Sequence, residues 1–181
     1  MHARWLAPAR TLFAALADPA GAWLAFNISL VLWHLPGPYD LTLRGGSMHV
    51  LEHAMFLATG ILFWSLVAAT APARGRLSTM QRLEYLAGAA VVNVGLSMYL
   101  GFPQHPLYGA YASLAHRPGG ISALADRQMG AGFMWTGGDM PFAIAIAVLV
   151  QRWLAEQEAK TARLATLPNG PVDAQSPSDG R

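Results

Sequence analysis

Ser47–Val67, SMHVLEHAMFLATGILFWSLV, is the stretch whose reading decides the fold. It has the length and apolarity of a membrane-spanning helix, and it opens with two histidines and a carboxylate. His49 and His53 are spaced i, i+4, so on a helix they lie about 40° apart on one face, a turn above one another. Glu52 falls on the adjoining flank, and the stripe continues through Phe56 and Gly60. Imidazoles at the end of an apolar helix cost free energy unless they are paired, protonated or bound to something. Contact with lipid headgroups is one way to meet that cost. A pair at ligand spacing, with more histidines elsewhere in the chain, favours a metal site.

Working outward, the whole chain matches this segment. Its 181 residues are 54% hydrophobic and only 12% charged, where a soluble domain carries about 25% charged residues. The expectation is an all-α, polytopic membrane helix bundle of about four spans, near 19–35, 47–69, 83–101 and 128–154. The first is short, roughly 25 Å at 1.5 Å per residue. Asp18 caps it with Pro19 at its first position, and Trp33-His34-Leu35-Pro36 closes it. Gly37 to Gly46 and Ala71 to Arg82 read as loops, and Phe102 to Arg127 as a long irregular segment. The last span is interrupted by Gly137-Gly138-Asp139-Met140-Pro141, which predicts a kink or break with Asp139 capping a second half-helix. Residues 1–17 read as a cytoplasmic lead-in and 155–181 as a disordered cytoplasmic tail.

The net charge of +2 gives no reason to expect a nucleic-acid partner. The basic residues instead set orientation. Arg4, Arg10, Arg74, Arg76, Arg82, Arg152, Lys160 and Arg163 fall on one side of a four-span layout, and Arg44, Arg117 and Arg127 on the other. The positive-inside rule makes the first side, with both termini, cytoplasmic. Five of the six histidines, His34, His49, His53, His105 and His116, then lie at the outer face.

The absence of cysteine excludes disulfides, thiolate sites, iron–sulfur clusters and covalent haem attachment. Histidine and methionine without cysteine suit copper, with zinc as competitor. The predicted shell is His34, His49 and His53, with Glu52 as a further ligand or as a group that orients a ring. Met48, His105 and His116 are additional candidates. Deeper in the bilayer, Asn27, Asn93 and Asp139 fall near mid-span. The asparagines are expected to make interhelical hydrogen bonds, and Asp139 either caps or takes part in function.

These residues resemble the CtaG-type cytochrome c oxidase assembly proteins, a multi-span family associated with the caa-type oxidases. The first signature is Trp33-His34-Leu35-Pro36 followed by Tyr39. The second is His49-x-x-Glu52-His53-x-x-Phe56 with Gly60 and Phe63-Trp64. The third runs Asp126-Arg127-Gln128-Met129-Gly130-Ala131-Gly132-Phe133-Met134-Trp135, and departs from the family pattern at Arg127 and Ala131. The resemblance covers about residues 21–150, and family members usually have six or seven spans. It implies a factor of the bacterial inner membrane that matures an oxidase subunit by handling copper, as a monomer or homo-oligomer, without catalysis of its own. A b-type haem redox protein and a copper or other metal transporter are the competing readings; a histidine pair on one helix cannot itself sandwich a haem.

Overall fold

The computed structural model describes residues 18–70, 75–113 and 118–166. His2, Arg4, Arg10, Arg74, His116, Arg117 and the chain from Leu167 onward lie outside the described residues, as does the predicted lead-in. The described chain is all-helical: α1 Pro19–His34, α2 Pro36–Arg44, α3 Gly46–Val67, α4 Thr79–Gly101, the short α5 Gly109–Ala112 and α6 Ala123–Ala165. Of these, α3, α4 and α6 are long and apolar enough to cross a membrane. With 16 residues, α1 is about 24 Å long, shorter than the roughly 30 Å hydrocarbon layer. It packs along α3, while α4 packs most extensively on α6.

Local chemistry explains the boundaries, including those the sequence reading misplaced. Asp18 accepts the Ala20 N–H and starts α1 with Pro19 behind it. Leu35 is extended, as a residue before proline should be. Pro36 then stops α1 and opens α2, so the predicted 37–46 loop is mostly helix. Ser78 and Gln81 form a reciprocal capping box, so α4 begins at Thr79 and takes in the end of the predicted 71–82 loop. Ser122 caps α6 through the Ala125 N–H, which puts Asp126 and Arg127 in its first turns and not in a loop.

The last helix also corrects two expectations. It runs as one helix through Gly137–Pro141, with Pro141 inside it where a kink is expected, so the break is absent and Asp139 caps nothing. Pro141 removes one intrahelical hydrogen bond, to the Gly137 carbonyl, and the tight packing on α4 carries the helix across. The helix also continues to Ala165, so residues 155–165 are ordered and not part of a tail. At 43 residues it is about 65 Å long, twice the bilayer core, and its last turns carry Arg152, Glu156, Lys160 and Arg163. There the Thr79 hydroxyl donates to Glu156 at 2.8 Å, tying the extension to the start of α4.

The core is aromatic and centred on Phe63 of α3, which is fully buried. It meets a ring from each of the other long elements: Phe26 of α1 at 4.3 Å, Tyr85 of α4 at 4.7 Å and Phe142 of α6 at 6.0 Å. Interhelical polar bonds are few. The Trp23 indole donates to the Tyr85 carbonyl at 3.1 Å. Ala131, a departure from the family pattern, still permits close packing, because its Cβ sits 3.6 Å from where a Cβ on Gly101 would lie. The outward faces are strongly apolar, with Ile28, Leu57, Ile61, Val91, Phe133 and Ile144 exposed. Water would not tolerate such a surface, and a bilayer satisfies it.

Candidate functional site

The end of the bundle where α3 and α6 begin collects most of the polar side chains singled out in the sequence. It is closed by α2 and by residues 102–113. Tyr39 of α2 stacks on Tyr108 at 4.0 Å, and the Tyr108 hydroxyl donates to the His34 carbonyl at 2.9 Å. Asp40 accepts the Ala110 N–H at 3.2 Å, and Gln128 donates to the Gly101 carbonyl. Burial, and then the negative charges of Glu52, Asp126 and Asp40, push the Tyr39 phenol above its usual pKa.

On the first turns of α3, His49, Glu52 and His53 bring one donor atom each within 4.8 Å of one another. The two imidazole rings lie 4.4 Å apart. The Glu52 carboxylate is 3.6 Å from His49 Nδ1 and 3.9 Å from His53 Nδ1. His53 Nδ1 also lies 3.0 Å from the His49 carbonyl; if it donates there, Nε2 is left as the ligand nitrogen. The histidine side chains are 60% and 66% exposed and that of Glu52 only 11%. Helical spacing explains the split. Glu52, Phe56, Phe63 and Leu66 share the inward face, and the histidines stand on its outer flank.

These three groups could hold a metal ion. Three donors bound at about 2.1 Å to one ion lie about 3.6 Å apart or less when evenly spread, so the exposed rings would have to close by up to about 1.2 Å. Three ligands from a single helix would leave at least one coordination position of a tetrahedral ion open.

The other predicted ligands are placed elsewhere. His34 is not brought into this group. Its Nδ1 bonds the Leu30 carbonyl at 2.7 Å and its ring faces Phe56 at 6.2 Å, toward the bundle interior. Met48 is exposed at the start of α3. His105 is exposed in the loop, where its backbone carbonyl accepts a hydrogen bond from Arg127.

Mid-membrane, Asn93 Nδ2 donates to Asp139 Oδ1 at 2.9 Å and to the Met134 carbonyl at 3.3 Å, joining α4 to α6. Asp139 Oδ2 is buried without a partner. Asn27 differs from expectation: its amide returns to the Trp23 carbonyl of its own helix. Trp33, at the end of α1, is buried with its indole N–H unpartnered. Sequence reasoning missed Tyr108 and Trp23 as bridging groups, because a tyrosine in a loop and a tryptophan in an apolar run carry no sign of their partners.

The family model for the cytochrome c oxidase caa3 assembly factor, Caa3_CtaG, matches residues 1–156. No curated protein and no solved structure matches the chain.

Proposed function

The chain belongs to the cytochrome c oxidase caa3 assembly factor family, and from that premise we propose that it handles copper as cargo for the oxidase through His49, Glu52 and His53. The family makes it an assembly factor with an oxidase complex as partner and the lipid bilayer as surroundings. Copper is the finer reading. The observation that carries it is the cluster of two exposed imidazoles and one carboxylate on the first turns of α3. Imidazole suits copper, and a chain without cysteine has no softer donor than histidine and methionine to compete. High exposure and open coordination positions suit an ion received and passed on. In this reading α1 crosses beside α3 as a fourth, short span, and the protein sits in the inner membrane with both termini cytoplasmic and the cluster facing outward. It performs no catalysis; the oxidase subunit receives the metal.

The test is elemental analysis and an optical spectrum of the full chain purified in detergent after copper loading. Wild type should hold one copper per chain with no Soret band. His49→Ala and His53→Ala should each lower occupancy at least tenfold while the protein still inserts. His34→Ala should leave it unchanged, since that ring faces Phe56. Full loading of the His49→Ala/His53→Ala variant would sink the proposal.

A further inference from the structure

A pocket of about 690 Å³ opens on the side of the bundle, separate from the exposed histidine cluster and lined by residues of α1, α3, α4 and α6. That volume is within the roughly 300–1,000 Å³ of ordinary small-ligand sites. Its inner walls are apolar, formed by Phe26, Leu30, Trp64, Met134 and Phe142, and the exposed Met129 and Phe133 edge its open side. At the capped end, His34, Tyr39, Tyr108, Asp126 and Arg127 line it. It is therefore amphipathic along its length.

Arg127 decides what such a space would hold. It is 7% exposed, and a guanidinium keeps its charge at any physiological pH. Its NH2 and NH1 groups donate to the backbone carbonyls of Pro103 and His105. Its Nε–H is buried with no acceptor. Among the described residues no carboxylate lies within 4.0 Å of Arg127, and Glu52, Asp126 and Asp40 act at this end of the bundle only from longer range. Asp126, the adjacent residue, lies in the first turn of α6, where the helix dipole favours its charge. Asp40 is engaged by the Ala110 N–H. Carbonyl dipoles solvate a buried cation without cancelling its charge, and an uncompensated buried charge is expensive. An anion in the pocket beside the guanidinium would offset that charge.

We propose that this cavity binds an anionic amphiphile, with its carboxylate or phosphate at Arg127 and its apolar chain along the Phe26–Trp64–Phe142 walls. The proposal is independent of copper. A lipid supplies both halves of the ligand, whereas a free phosphate supplies only the head.

The experiment titrates the full chain, purified in a non-ionic detergent, with 11-(dansylamino)undecanoic acid and with its neutral methyl ester. The acid should bind saturably, one per chain, and at least tenfold more tightly than the ester. Arg127→Gln should weaken the acid to the level of the ester and leave the ester unchanged, and Arg127→Lys should restore most of the difference. Gly130 lines the cavity and a Cβ there meets nothing within 4 Å, so Gly130→Phe should fill the space and abolish binding of both probes. Unlabelled dodecanoate should displace the acid probe while inorganic phosphate at the same concentration does not. Equal affinity of wild type for acid and ester would overturn the proposal, as would undiminished binding in Gly130→Phe. Displacement by phosphate as effective as by dodecanoate would reduce the site to a simple anion site and also overturn it. Because the acid–ester comparison is made on wild type, it stands even if Arg127→Gln does not fold.

Discussion

Asn93→Leu removes the polar link between α4 and α6, and its cost can be worked from the geometry. The amide donates at 2.9 Å to Asp139 Oδ1 and at 3.3 Å to the Met134 carbonyl. Asp139 Oδ2 already has no partner, so the substitution leaves the carboxyl group with none at all. Interhelical hydrogen bonds in membranes contribute about 0.6 to 2 kcal/mol. An unsupported aspartate at mid-membrane costs on the order of 2.5–3.5 kcal/mol on insertion scales. Asn93→Leu should therefore destabilise the bundle by about 2–3 kcal/mol. Asp139→Leu removes the carboxyl and one bond but leaves Asn93 its Met134 acceptor, so it should cost about 1 kcal/mol. In the double variant neither orphan remains, and the loss should fall short of the sum by about 1–2 kcal/mol. The assay is reversible unfolding of the full chain in mixed micelles, followed by circular dichroism as the denaturing detergent fraction rises. Losses that add to within about 0.5 kcal/mol would show that the two side chains are uncoupled, and the assignment of Asp139 to this contact would fail.

Three further outcomes follow from single features. Phe63→Ala empties the point where rings from α1, α4 and α6 meet and should cost about 3 kcal/mol or more in the same assay; a loss below about 1 kcal/mol would mean the aromatic cluster is not the core. Ser78→Ala breaks the capping box of α4 and should cost about 1 kcal/mol, with Ser78→Thr close to neutral. A cysteine at Ser113 should react with an impermeant thiol reagent from outside the cell membrane and one at Ser78 should not; the reverse pattern would invert the proposed orientation.

Much of the fold was legible because two physical signals are local. Apolar runs of bilayer length marked three spanning helices, and proline after a capping Asp18 marked the start of α1. The misplaced boundaries had local signals too, but weaker ones. Ser78-x-x-Gln81 is a capping-box pattern set just before the apolar run, and Pro36 reads equally as a stop and as a start. The continuity of α6 is different in kind. Gly137-Gly138-Asp139-Met140-Pro141 is a poor helix sequence, and what overrides it is packing against α4. Gly138 admits the Asn93 side chain, whose amide lies 3.5 Å from where a Cβ would be. Tertiary contact settles such a segment, and no reading of the segment alone could.

The candidate metal cluster shows the same limit at a finer scale. Helical periodicity states that His49 and His53 share a face and that Glu52 flanks it, and the structure has that arrangement. Periodicity does not state which flank turns inward. The inward direction is set by Phe63 and Leu66, two to four turns further along α3, which are the residues that reach the core. At 100° per residue Glu52 lies about 10° from the mean direction of Phe63 and Leu66, whereas His49 lies about 70° and His53 about 110° away. That register buries the carboxylate and exposes both rings. It also separates the pair from His34, which the shared depth at the outer face alone would have placed with them. Rotating α3 by one residue, about 100°, would bury an imidazole and move Phe63 out of the aromatic cluster. The core therefore fixes the orientation of the histidines, although none of its residues touches a ligand atom.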